Sequence, residues 1–81
     1  MYITGPDKQD LPVSTQEQVA ALTAEAGMLR EAANNSMREA HMLWPTKAKD
    51  AHVLVCGAHE YYGMANALVL KAWEIALEAR V

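Results

Sequence analysis

From residue 19 onward, apolar side chains recur at intervals of three and four: Val19, Leu22, Ala26, Leu29, Ala33, Met37, Ala40 and Trp44. An α-helix turns once in about 3.6 residues, so this spacing lines one flank of a helix that packs lengthwise against another. Glu17, Glu25, Arg30, Glu31, Arg38 and Glu39 fall off the stripe. Ser14 and Glu17 have the spacing of a capping box, in which the serine oxygen accepts an amide of the first turn and the glutamate reaches back to the serine amide. Asn34, Asn35 and Ser36 are weak helix formers in mid-helix, suited to solvent exposure, to a bend or to polar contact with a partner. Pro45 ends the element, because a residue preceding proline disfavours the α conformation; the break is expected near Trp44.

The pattern then changes. Thr46 can cap a second helix that starts at Lys47 and runs to about Arg80. Between Ala51 and Leu70 its only formally charged residue is Glu60. Val55, Tyr62, Val69 and Trp73 share one face, and Leu54, Tyr61, Leu68 and Ile75 another. A helix apolar nearly all round is expected to be buried nearly all round, and one partner helix covers only one side. The expectation is an all-α fold: a helical hairpin of two long helices, assembled into a homo-oligomeric helical bundle. Its interface would hold Val55, Gly63, Ala67, Val69 and Trp73. Gly57 and Gly63 each cost about 1 kcal/mol in a helix relative to alanine. Close helix–helix approach at these glycines, with Ala58 and Ala67, is the expected compensation; a kink is the alternative.

Before the first helix, Gly5, Pro6 and Pro12 favour extended or turn-like backbone. With Tyr2 and Ile3 available to pack on a neighbour, residues 1–13 read as an arm and 14–81 as a single helical domain, with helices at about 14–44 and 46–80.

Composition sharpens this in three ways. A chain of 81 residues makes one domain that buries only roughly 60–65% of its unfolded surface, a size at which oligomerisation commonly supplies stability. Cys56 is the only cysteine, which rules out an internal disulfide and suits a reducing cytoplasm. The net charge of −3 argues against a general nucleic-acid binder. Met1–Leu11 has no basic stretch followed by an apolar run. His52, His59, Glu60 and Asn66 make a membrane span costly, so no membrane partner is expected.

Candidate chemistry gathers in two places. His52, Cys56, His59 and Glu60 lie three or four residues apart along one helix, and all are zinc-ligand types. Gly63 stands where the H-E-x-x-H motif needs its second histidine, and hydrogen-bonded polar packing is the simpler reading, so no metal is expected. Cys56 with a histidine lacks a third orienting group, and Glu60 lacks a carboxylate partner, so no catalytic residue and no cofactor are expected. The second place is the amino terminus of the second helix. Free amides there favour an anion, and Lys47 and Lys49 stand beside it. Arg30 and Arg38 could join, and Tyr61 and Tyr62 offer faces for a base to stack on.

The run Ala58-His59-Glu60-Tyr61-Tyr62-Gly63-Met64, with the upstream Asp10-Leu11 and Glu25-Ala26-Gly27, resembles the phage anti-CBASS cyclic-oligonucleotide sponges. The last helix of that family carries a threonine–histidine pair, a glycine four residues after the histidine, and then a large apolar residue. His59, Gly63 and Met64 match. The chain departs from the family at Gln9, where an aromatic residue is usual, and at Ala24, where a lysine is usual. It departs again at Ala51-His52 in place of an Arg-Trp pair, and at Ala58 in place of the threonine. Only His59 and Gly63 carry over residue by residue. The resemblance implies a helical oligomer that sequesters an immune second messenger without cleaving it, in the host cytoplasm.

The sequence therefore supports a non-catalytic homo-oligomeric sponge for a phosphate-bearing ligand, a cyclic nucleotide in particular. Lys47, Lys49, Arg38, His59, Tyr61 and Tyr62 would form its binding set. The rival is a small helical inhibitor that docks its apolar second helix on a host defence protein.

Overall fold

The computed structural model describes residues 3–6 and 11–80, the last without its side chain. The sequence expectations for Tyr2, Gln9 and Asp10 lie outside these residues. Two helices, α1 (Val13–Leu43) and α2 (Ala48–Arg80), pack against each other as an antiparallel hairpin, with no strand among the described residues. A helix of 33 residues is about 50 Å long at 1.5 Å per residue, and the protein is correspondingly a rod of 54 × 15 × 14 Å. Its radius of gyration is 16.0 Å, against about 12 Å for a compact chain of this length.

Alanine sets the seam. On α1 the buried residues are Val19, Ala26, Ala33 and Ala40, one every seven; on α2, Ala51, Ala58, Ala65 and Ala72 repeat the same interval. Val19 packs with Ala72, and Ala26 with Ala65. The same stepping sets Ala33 level with Ala58 and Ala40 level with Ala51. Side chains this small let two helices approach to about 8 Å, the near end of the usual range. The larger core residues sit at the end away from the connection: Leu11, Val19 and Val69, with half-buried Leu22 and Ile75 beside them.

The stripe read from sequence holds through Ala33 and then departs from the structure. Met37 and Trp44 are exposed, and the half-buried positions are Ser36 and Leu43. A strict three–four alternation from Ala33 runs through Ser36, Ala40 and Leu43. Met37 and Trp44 each lie one residue further on, about 100° round the helix, on its flank.

The capping box does not form. Helix α1 begins before Ser14, with extended Pro12 as its cap, and makes no side-chain cap bond. The Gln16 side chain instead donates to the Leu11 carbonyl at 2.7 Å. Proline supplies the entry conformation and has no amide to satisfy, so the helix starts one residue early. At the other end Trp44 is still α-helical despite the proline after it, and its amide donates to the Ala40 carbonyl. A tight turn follows, and α2 begins one residue later than expected. Lys47, not Thr46, occupies the cap position, its carbonyl accepting from the Ala51 amide at 3.0 Å.

Of the segment expected to form an arm, residues 3–6 are described, and they lie against both helices. Pro6 is buried, and Ile3 packs against Ala26, Ala65 and Val69. The Arg30 guanidinium donates to the Ile3 carbonyl at 2.9 Å and to Asn66 Oδ1 at 3.3 Å. The Trp73 indole donates to the Thr4 carbonyl. An added Cβ at Gly5 would come within 2.9 Å of the Thr23 methyl, which is why the strand-like arm carries glycine there. The arm thus fills one of the two grooves between the helices.

The expectation that α2 is buried nearly all round is corrected at the level of the protomer. Only its α1-facing side is buried, and Val53, Met64, Leu70 and Leu77 are exposed on the side facing away. With an alanine seam and a thin arm, α1 subtends too little of the circumference of α2 to cover more.

Candidate functional site

The residues expected to bind a phosphate-bearing ligand are not brought together within one protomer. Lys47 and Lys49 are exposed at the turn end. Tyr62 lies 15 residues along α2 from Lys47, about 22 Å at the helical rise. Its hydroxyl donates to Asn34 Oδ1 across the groove between the helices. Arg38 is exposed and bonds Asn35 Oδ1 on the next turn of its own helix. Arg30, further down α1, is engaged by the arm and Asn66. His59 and Tyr61 are exposed on α2. The asparagines in mid-helix thus have work within the protomer, one closing a contact with α2 and the other holding Arg38.

The histidine–cysteine face forms one weak pair. Cys56 Sγ lies 3.8 Å from His52 Nε2, and both residues are exposed. His59 and Glu60 are exposed as well. Among the described residues, no three of His, Cys, Asp and Glu come close enough together to hold a metal ion.

The expected interface set divides. Val69 is buried in the protomer's own core against Ala26 and Ala65. Val55 is half-buried and lines the groove near the turn. Trp73 is held by the arm. Gly63 and Ala67 remain exposed on the outward side of α2. An added Cβ at Gly57 or Gly63 would meet nothing within 4 Å, so neither glycine serves a close approach of α1 to α2. The alanines serve it instead.

Two surface features were not foreseen. The groove filled by the arm continues past the Tyr62–Asn34 bridge to the turn end, where it opens to about 260 Å³ lined by Met37, Ala40, His41, Trp44, Ala51, His52 and Val55. Its signal in the sequence is the seven-residue series Thr23, Arg30, Met37 and Trp44: the first two touch residues 3–6, and the last two line the groove nearer the turn. On the opposite flank, Glu25, Leu29, Met64, Ala67, Leu68 and Lys71 line a second shallow groove of about 380 Å³.

The outward surfaces of the two helices differ in kind. That of α1 carries exposed Glu17, Glu31, Arg38 and Glu39 around Met28 and Met42. That of α2, over the long middle stretch, carries Glu60 and Lys71 among Val53, Cys56, Gly63, Met64, Ala67 and Leu70. Neither helix has a stretch apolar enough to cross a membrane. No protein-family profile, curated protein or solved structure matches the chain.

Proposed function

We propose that this protein is a non-catalytic binding module that works through the outward face of α2, and that its partner is a protein. The observation that carries this reading is the contrast between the two helices: α1 sets Glu17, Glu31, Arg38 and Glu39 around its exposed Met28 and Met42, whereas α2, with Glu60 as its one charged residue between Ala51 and Leu70, turns out Val53, Met64, Leu70 and Leu77. Exposed apolar side chains that follow one helical face mark interaction surfaces in soluble proteins, because each square ångström kept from water is worth roughly 25 cal/mol.

Capture of a cyclic oligonucleotide is the second reading. Lys47, Lys49 and Arg38 are spread too far from Tyr61 and Tyr62 along the rod to meet one such ligand in a single protomer, so this reading needs a pocket completed between subunits.

The test places a photo-crosslinking amino acid at Met64, and in a control at Met28 on α1, in cells that produce the protein naturally. Protein adducts from position 64 and not from position 28 are expected. Equal adducts from both positions, or none from either, would overturn the reading. Calorimetry with cyclic di- and trinucleotides reads the second hypothesis, since a ligand of the native state must raise its stability.

A further inference from the structure

One flank of α2 has a spacing that reads the same in both directions. Val53, Gly57, Glu60, Met64, Ala67, Lys71, Glu74 and Glu78 recur at intervals of four, three, four, three, four, three and four. All but the half-buried Gly57 are exposed. They run along one flank of α2, where Met64, Ala67 and Lys71 border the groove shared with Glu25 and Leu29 of α1. A stripe with that symmetry can meet a reversed copy of itself about a two-fold axis level with Ala65 and Asn66. Of the four pairings that follow, the two central ones are complementary, and the outer two set Gly57 against Glu74 and Val53 against Glu78. Met64 falls opposite the small Ala67 of the second copy, and Ala67 opposite its Met64. Glu60 falls opposite the second copy's Lys71, and Lys71 opposite its Glu60. The two charges in the middle of the apolar stretch are therefore of opposite sign at symmetric positions, which is the arrangement an isologous interface requires.

The surface area agrees. The chain exposes 5839 Å². A compact monomer of its mass exposes about 4,800 Å². The surplus, about 1,000 Å², follows from the elongated hairpin and is enough to supply the roughly 800 Å² that each partner buries in a standard protein interface. The groove lined by Leu29, Leu68 and Ala67 lies beside the axis, where the second copy's Met64 can enter. Gly63 leaves the surface low at the same level, consistent with a helix approaching from outside rather than from α1.

We infer that the occupant of this face is a second copy of the chain, joined through antiparallel α2–α2 packing with reciprocal Glu60–Lys71 pairs. This rests on the reading of the outward face as a protein-binding surface. In the assembly the four helices form a bundle with the two α2 helices inside.

Sedimentation equilibrium of the full-length chain tests it, with circular dichroism to confirm folding of each variant. The wild type is expected to be a dimer at tens of micromolar. E60K or K71E alone sets like charges opposite each other twice and should raise the dissociation constant at least tenfold. Mixing E60K chains with K71E chains makes both pairs complementary again and should restore a dimer containing one of each. A wild type that stays monomeric at several hundred micromolar overturns the inference, and so does a mixture no tighter than either variant alone. Cross-linking from position 64 then separates the two levels of argument. An adduct of twice the chain mass supports the second copy. An adduct with a different protein from a monomeric chain rejects the second copy and keeps the binding face. No adduct and no dimer reject both.

Discussion

Trp73 and Thr4, 69 residues apart in the chain, are joined by a hydrogen bond of 2.6 Å from the indole N–H to the backbone carbonyl. With the Arg30–Ile3 bond, it fastens the arm across both helices. A neutral hydrogen bond contributes about 0.5–1.5 kcal/mol net. Trp73→Phe keeps the ring and removes the donor, so it should lower stability by about 1 kcal/mol in urea titration. It should also speed amide exchange selectively in residues 3–6. Exchange rising equally along both helices would mean that the bond holds the hairpin rather than the arm.

The contact between Gly5 and the Thr23 methyl makes a second prediction. Gly5→Ala should cost about 1–2 kcal/mol, because the new methyl has no room. Thr23→Ser removes the obstructing methyl and keeps the hydroxyl that donates to the Val19 carbonyl. The double variant should recover at least about 0.5 kcal/mol relative to the sum of the singles, a coupling that a double-mutant cycle measures.

The alanine seam predicts a sharp positional contrast. Ala58 is fully buried, and Ala58→Leu forces the helices apart, at a cost of about 3 kcal/mol or loss of the fold. Ala24 is exposed on α1, and Ala24→Leu should change stability by less than about 0.5 kcal/mol. Thermal melts of the two variants side by side read the difference.

Gly27 sits inside α1 with open space where a Cβ would stand. Gly27→Ala should therefore stabilise the protein by about 0.5–1 kcal/mol through lower chain entropy in the unfolded state. A loss on substitution would indicate a neighbour that the single chain does not contain.

The helical hairpin is legible in the sequence because its signals are repetitive: the three–four spacing from Val19 to Ala33, the proline at 45, and the proline-bearing segment before the first helix. The details that fail are those in which a local rule meets a stronger constraint. Ser14 and Glu17 have capping-box spacing, but Pro12 starts the helix first. Met37 and Trp44 look like the continuation of an apolar stripe because they are large, yet the seam prefers the small side chains beside them. Val69 and Trp73 look free to face another subunit until the arm and α1 claim them. Residue type alone nominates the candidate ligand set, and type does not reveal that Lys47 and Tyr62 stand far apart on a straight rod. The self-complementary order of Glu60, Met64, Ala67 and Lys71 was present in the sequence throughout. It becomes visible only when the buried alanines fix which side of α2 points away.

One consequence of the seven-residue alanine repeat concerns alignment. Equal side chains at equal intervals leave the two helices nearly indifferent to sliding by one repeat, since alanine would meet alanine again. Correct alignment must come from elsewhere: from the short connection at Trp44–Lys47, which limits travel, and from the bulkier Val19 and Val69 at the far end. A variant with a longer connection would loosen the first of these restraints and leave the second to choose among near-equivalent settings.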